Sequence, residues 1–245
     1  MHENPRSSIP LLPGVRRRPG VRDAHRRRFV RRRSSPGVVA AVAFFAVGVF
    51  ACDPANGQAG TTEIELKPTA ARGQAVFAGG CFWCMEPPFE KLAGVTAVYS
   101  GYTGGPETGP AYKAVAAGKT KHAEAVLVEY DPKKITYEKL LYTYWRSINP
   151  TQINGQFFDV GPQYRTAIFY LNDEQKALAE KSKRELAASG KFKEPIAVQI
   201  VPPTRFWKAE EYHQDYYKKN PAHYERYAKG SGRKGYLKRT WSVDS

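Results

Sequence analysis

Ala78-Gly79-Gly80-Cys81-Phe82-Trp83-Cys84-Met85-Glu86 decides how the rest of the chain is read. The short apolar run before it, Ala75-Val76-Phe77-Ala78, has the composition of a buried strand, and two glycines then permit a tight turn without a Cβ clash. Cys81 therefore falls where the following helix begins. Unpaired N–H groups and the positive end of the helix dipole favour thiolate over thiol there, so the spacing predicts a reactive Cys81 with a depressed pKa. Phe82 and Trp83 beside it would form an apolar wall for a small group on a substrate. The alternative is that both cysteines are inert, buried apolar side chains.

Outward from this stretch, short strands alternate with helices, which predicts a mixed α/β domain from residue 74 onward. Val95 to Tyr102 reads as a strand closed by Gly104-Gly105-Pro106, and Ala123 to Tyr130 as one closed by Asp131-Pro132. Helices are expected over Tyr137 to Ile148, where Leu140, Leu141, Tyr144 and Trp145 share a face, and over Asp173 to Ser189. Ala167 to Leu171 and Ile196 to Val201 complete the expected sheet. The polar and aromatic stretch Asn149 to Gln163 is too long for a simple connection and has the character of a site-building loop.

The N-terminal third is different. Of the net charge of +15, residues 1–51 carry nine, through eleven arginines set against Glu3 and Asp23. The basic character belongs mainly to this leader, and nucleic-acid binding by the remainder loses its support. Behind Arg31-Arg32-Arg33, the uncharged run Val38 to Ala51 has the length of a signal h-region and is short for a membrane span. Its end, Val49-Phe50-Ala51-Cys52, resembles a bacterial lipoprotein signal, with Cys52 as the lipidation point; an ordinary cleaved signal is the alternative. This predicts export to the cell envelope or periplasm with a lipid anchor in the membrane. Residues 52–73, rich in Gly, Thr, Asn, Ala and Pro, are expected to be a flexible tether.

Beyond the thiols, Glu124 opens a strand as His122-Ala123-Glu124, Tyr112 follows Gly109-Pro110-Ala111, and Asp159 and Tyr164 bracket Val160-Gly161-Pro162-Gln163. Taken singly, each also fits a solvated strand residue, a loop anchor or a turn former. Together with Gly79 to Glu86, Gly101-Tyr102-Thr103-Gly104-Gly105, His122-Ala123-Glu124-Ala125, Gln163-Tyr164-Arg165 and Glu211-Tyr212-His213-Gln214-Asp215-Tyr216 occur in order. On these motifs the chain closely resembles the A-type peptide methionine sulfoxide reductases, which act on the S epimer, over about Ala75 to Leu237.

The resemblance implies a two-layer α/β roll with ferredoxin-like elements, no bound cofactor and no metal. It makes Cys81 the nucleophile, Phe82 and Trp83 the cage for the substrate S-methyl group, and Glu124 the acid beside the sulfoxide oxygen. Tyr112 and Tyr164 fall on the family's two tyrosines and Asp159 on the aspartate ahead of the second. The implied substrates are oxidised proteins and free methionine sulfoxide, and the implied reductant is thioredoxin or a thioredoxin-like protein. Many relatives regenerate the nucleophile through a cysteine in a glycine-rich C-terminal tail. Here Gly230 to Ser245 contains none, so Cys84 is the expected resolving thiol; the alternatives are direct reduction of Cys81 by an external thiol, with Cys84 only filling space, and Cys52 if it escapes lipidation.

Other classes remain open on the residues alone. Cys-x-x-Cys at a helix start also suits a thiol–disulfide oxidoreductase of the thioredoxin type. Two cysteines with His122, His213 and His223 make a poor zinc set by spacing. A lipoprotein that only binds a partner needs no reactive thiol at all.

Overall fold

The computed structural model describes residues 60–242. The leader, Cys52 and residues 53–59 lie outside the described residues. In chain order the elements are β1 (Thr62–Ile64), β2 (Gly73–Gly79), α1 (Phe82–Glu90), β3 (Val95–Thr103), α2 (Tyr112–Ala116), β4 (Ala123–Tyr130), α3 (Tyr137–Trp145), β5 (Gly155–Gln156), β6 (Asp159–Val160), β7 (Thr166–Phe169) and α4 (Asp173–Ala188). They end with β8 (Gln199–Val201), β9 (Phe206–Lys208), α5 (Tyr216–Lys219), α6 (Pro221–Gly230) and α7 (Arg233–Trp241).

One sheet runs β1-β9-β3-β4-β2-β7-β8, antiparallel throughout except for the parallel pair β7–β8. β4 lies between β2 and β3 and is antiparallel to both, so β2-α1-β3 is a crossover split by an inserted strand, the ferredoxin-like element. The mixed α/β roll expected from the sequence is the observed fold.

β2 is buried along its whole length because both faces of the sheet are covered. Ala75 and Phe77 face the helices, where Phe77 stacks on Phe89 and Tyr144 at 5.1 Å each. Val76 and Ala78 face a second cluster with Leu127, Phe169 and Phe206. This period-2 alternation explains why β2 reads as a continuous apolar run. On β4, Ala123, Ala125 and Leu127 belong to the second cluster and Val126 and Val128 to the helix side. By the same parity Glu124 faces the helices.

Two expectations need correction. Thr62–Ile64, placed within the tether, is a strand on the sheet edge, paired with β9 in the register Thr62↔Lys208 to Ile64↔Phe206. Lys67 N–H also donates to Gln74 Oε1 at 2.7 Å, so the chain is already tied down before β2 begins. Polar composition suggested a free linker, but an edge strand needs few apolar residues when its partner is supplied from far along the chain. The other lies in the C-terminal tail, Gly230 to Ser245, where Arg233–Trp241 is helical. That helix begins with a buried arginine.

Candidate active site

The turn between β2 and α1 uses its glycines for two separate reasons. Gly80 has φ +81°, and a Cβ there would stand 2.5 Å from Cβ of Gln156; at Gly79 it would stand 2.5 Å from Met85 Sδ. Cys81 then caps α1 with its backbone alone, and Cys84 N–H returns to the Cys81 carbonyl at 3.0 Å. That i to i+3 bond is of the tight 3₁₀ kind, in which side chains three apart eclipse. Pro87 and Pro88 lie inside the helix and have no N–H, so the carbonyls of Trp83 and Cys84 lose their i to i−4 donors. The first turn is thereby freed from regular helical geometry, and the two thiols reach each other in a hydrogen bond.

The electrostatics reverse the expectation for Cys81. Both thiols are buried. Burial pushes Cys81 well above the ordinary thiol value, helped by its hydrogen bond with Cys84 and by Glu124. Cys84 is lowered, first by the Cys81 S–H it accepts and then by the Arg233 guanidinium, against the opposing effect of burial. Desolvation outweighs the helix dipole at Cys81, so of the two thiols Cys84 is the more acidic.

Glu124 is buried to 1% exposure, and its Oε2 accepts the Phe82 N–H at 3.1 Å. Burial raises its pKa to about 8 against that N–H, with Asp159 and Cys84 adding to the rise. It is therefore a protonated acid at neutral pH, held against the first residue of α1. Tyr112 and Tyr164 are half-buried, and their phenols are raised by burial, then by Glu124, with further contributions from Cys81 and Asp159. The structure thus brings together Cys81, Glu124 and both tyrosines from four elements. Gln163 Nε2 binds the Ala116 carbonyl at 2.9 Å and fastens the turn carrying Tyr164 to the end of α2.

Sequence reasoning missed most of what holds these groups. Glu210 accepts from Tyr112 N–H and Tyr102 Oη, both at 2.9 Å, and so seats α2. His213 accepts the Trp83 indole N–H at its Nδ1, 3.0 Å, and packs against Tyr112 and Phe82 with ring centroids 4.3 and 5.0 Å away. Burial lowers its pKa to about 4, which keeps the accepting nitrogen unprotonated. Tyr216 stacks on Trp83 at 3.7 Å. Asp159 Oδ2 accepts the Tyr227 hydroxyl at 2.5 Å, and that phenol stands near Cys81, which together with burial raises it. Arg233 donates to the Gly79 carbonyl at 2.7 Å and the Ser147 carbonyl at 2.6 Å, beneath the turn that presents Cys81. His213 and Tyr216 lie in a motif visible in the sequence; Tyr227 and Arg233 carry no local signal. Among the described residues no cluster of three or more His, Cys, Asp or Glu is placed to hold a metal.

The chain matches the family described as peptide methionine sulfoxide reductase over residues 73–245. A peptide methionine sulfoxide reductase MsrA of Bacillus licheniformis is 54% identical over 170 residues, 69% of this chain and 94% of the relative. The fold is similar to that of Mxr1 from Saccharomyces cerevisiae in reduced form, with TM-score 0.59 and 35% identity over 64% of this chain and 90% of that one. Methionine sulfoxide reductase A of Corynebacterium diphtheriae is similar with TM-score 0.56 and 31% identity, covering 62% and 77%.

Proposed function

The chain belongs to the peptide methionine sulfoxide reductase family, oxidoreductases that reduce methionine sulfoxide by thiol chemistry, and from that premise we propose how its residues divide the reaction. Cys81 is the nucleophile. Its proton passes along the hydrogen bond to Cys84, and the thiolate attacks the sulfoxide sulfur. Oxygen is a poor leaving group unless it is protonated, and Glu124 donates that proton while Tyr112 and Tyr164 donate hydrogen bonds to the same oxygen. Methionine departs as the thioether and Cys81 keeps the oxygen as a sulfenic acid. Cys84 then attacks Cys81 sulfur and gives up the proton it took, which leaves with the hydroxyl as water, and a Cys81–Cys84 disulfide remains. Phe82 and Trp83 cage the S-methyl group, with Asp159 at the edge of that cage.

The buried Glu124, protonated at neutral pH and one residue from the nucleophile in space, carries this assignment. Glu124→Gln keeps a hydrogen-bond donor but cannot give up a proton, so the single-turnover rate is expected to fall by roughly 10²-fold. In the unmodified enzyme the rate falls as pH rises through about 8, because the acid is then lost, and the substitution removes that limb. An unchanged rate and profile would remove Glu124 from the mechanism. Separated sulfoxide epimers test the proposed preference for the S form, and equal rates on both would overturn it.

The proposed reductant is a thioredoxin-like protein, and the proposed substrates are oxidised proteins as well as free methionine sulfoxide. The arginine-rich leader and Val49-Phe50-Ala51-Cys52 support export and lipidation at Cys52, outside the cytoplasm. Mass spectrometry of membrane-extracted protein should find a lipid-modified N-terminal Cys52; a soluble product with a free thiol there would contradict it.

A further inference from the structure

Glu86 is a fully buried carboxyl that the reaction does not use. It stands three residues after Trp83 on α1, so the two side chains are neighbours about one helical turn apart. They meet consecutive residues of the C-terminal segment. Glu86 Oε1 accepts the Asp215 N–H at 3.4 Å, and the Trp83 indole carries the Tyr216 ring at 3.7 Å with 7° between the planes. Asp215 itself has φ +54°, a left-handed conformation uncommon outside glycine, which persists when the surroundings hold it. On one side that hold is Gln214, whose side-chain amide bonds both the N–H and the carbonyl of Ser100 at 2.9 Å each. On the other side is the four-residue helix α5, which Tyr216 begins.

We propose that Glu86 is a positioning residue for the substrate cage: by holding the left-handed turn at Asp215 it keeps Tyr216 stacked on Trp83 and the wall for the S-methyl group closed. The inference rests on the proposed role of Trp83 in that cage. Among the described residues no hydrogen bond joins Glu86 to Cys81, Glu124, Tyr112 or Tyr164, so its effect passes through Asp215 and Tyr216 and falls on binding rather than on bond-making.

The hold depends on the charge of Glu86. Burial raises its pKa to about 7, against the Ser100 hydroxyl and the Asp215 N–H, and Glu90 and the Asp215 carboxylate add to the rise. Lys218 is committed to those two outer acids, 2.8 Å from Glu90 and 2.7 Å from Asp215, and the Tyr217 hydroxyl donates to Glu90 at 2.5 Å. Among the described residues neither Glu86 Oε2 nor Ser100 Oγ completes a hydrogen bond. A neutral carboxyl is tolerated in such a place and a carboxylate is not. When α5 lifts away, Glu86 meets water and ionises at its ordinary value of 4.5. Between that value and about 7 each unit of pH therefore favours the lifted form about tenfold; above 7 the closed form ionises too and the bias stops growing. The cage loosens as the pH rises towards neutrality.

The test compares Glu86→Gln, which keeps the shape and the acceptor for the Asp215 N–H but cannot ionise, with Glu86→Ala, which removes both. The KM for methionine sulfoxide is expected to rise about tenfold in Glu86→Ala and to stay within about twofold in Glu86→Gln, with the single-turnover rate at saturating sulfoxide unchanged in both. Tyr216→Ala should raise KM similarly, and the double variant with Glu86→Ala no further, because the two residues act in series; additive effects overturn the inference. Hydrogen exchange of the Asp215–Lys219 segment, read by mass spectrometry and corrected for the intrinsic rate, needs only the unmodified enzyme and Glu86→Gln, so it decides the matter even if Glu86→Ala does not fold. Opening is expected to grow about tenfold per pH unit between 4.5 and about 7 in the unmodified enzyme and to stay level in Glu86→Gln, and the same profile in both overturns the inference. If Tyr216→Ala leaves KM unchanged, the cage reading of Trp83 fails and takes the inference with it. If Tyr216→Ala raises KM and Glu86→Ala does not, the role of Glu86 alone is refuted.

Discussion

The strand-and-helix scaffold around Cys81 and the C-terminal wrap from Glu210 to Trp241 approach the same site in opposite ways. The scaffold supplies the groups that exchange atoms or protons: Cys81 and Cys84 on α1, Glu124 on β4, Tyr112 on α2 and Tyr164 just before β7. The wrap supplies groups that hold them. His213 fixes the Trp83 indole, Glu210 seats α2, Tyr227 holds the Asp159 carboxylate, and Arg233 clamps the carbonyls of Gly79 and Ser147. Reacting groups sit where the backbone is pinned by sheet pairing and packing, while their orientation is completed by side chains reaching in from distant helices. Precision of this kind needs both, because a side chain on a rigid strand still rotates until something outside the strand stops it.

The comparison breaks first at the two cysteines, which share a helix turn but have different tasks. Cys81→Ser should lower methionine formation by roughly 10⁴-fold or more with any reductant. Cys84→Ser should release one methionine per enzyme at a near-normal rate and then lose most turnover with a thioredoxin-like donor. Rapid-quench counting of methionine against enzyme distinguishes the two, and cycling of Cys84→Ser at the unmodified rate would show that another thiol resolves Cys81.

A smaller effect tests the wrap. Arg233→Met strands two buried carbonyls, which costs about 2–5 kcal/mol and is read as a lower unfolding midpoint in denaturant. Molecules that remain folded should keep the single-turnover rate within about tenfold, a change of ~1.4 kcal/mol in the barrier, because the nucleophile and acid are still present. A collapse of the rate with no loss of stability would place Arg233 among the reacting groups instead.

The smallest effect is a pH dependence. His213 titrates near 4 when folded, below its ordinary value of 6.5, because burial penalises the imidazolium. The unfolded chain therefore binds this proton first as pH falls. The contribution of His213 to stability is present above about 6.5 and drains away towards pH 4, by ~1.4 kcal/mol per unit of difference. His213→Gln should flatten that slope, measured by urea unfolding at several pH values with Trp fluorescence. An identical slope would assign the acid sensitivity to other groups.

The site was legible in the sequence wherever its residues are neighbours in a motif. Gly79 to Glu86 announces the turn, the nucleophile and the aromatic cage, and His122-Ala123-Glu124 announces the acid by likeness to a family. The conformational demand at Gly80 is local, so it is written locally. Burial is not local, and it misled the expectation for Cys81: the helix start argued for an acidic thiol, whereas desolvation by packed neighbours makes Cys84 the more acidic of the pair.

The amino-acid sequence by itself determined the class of fold, through apolar alternation in β2 and β4 and amphipathic spacing in α3, and the chemical identities at the site, through short motifs. Only the tertiary structure decided what those groups experience. Pairing of Thr62–Ile64 with β9 joins residues more than 140 positions apart, and the Arg233 clamp on Gly79 spans 154. Neither contact leaves a periodicity or a spacing in either partner. A carboxyl becomes an acid at neutral pH, and one of two adjacent thiols becomes the more acidic, because desolvation depends on everything packed around a group rather than on its neighbours along the chain.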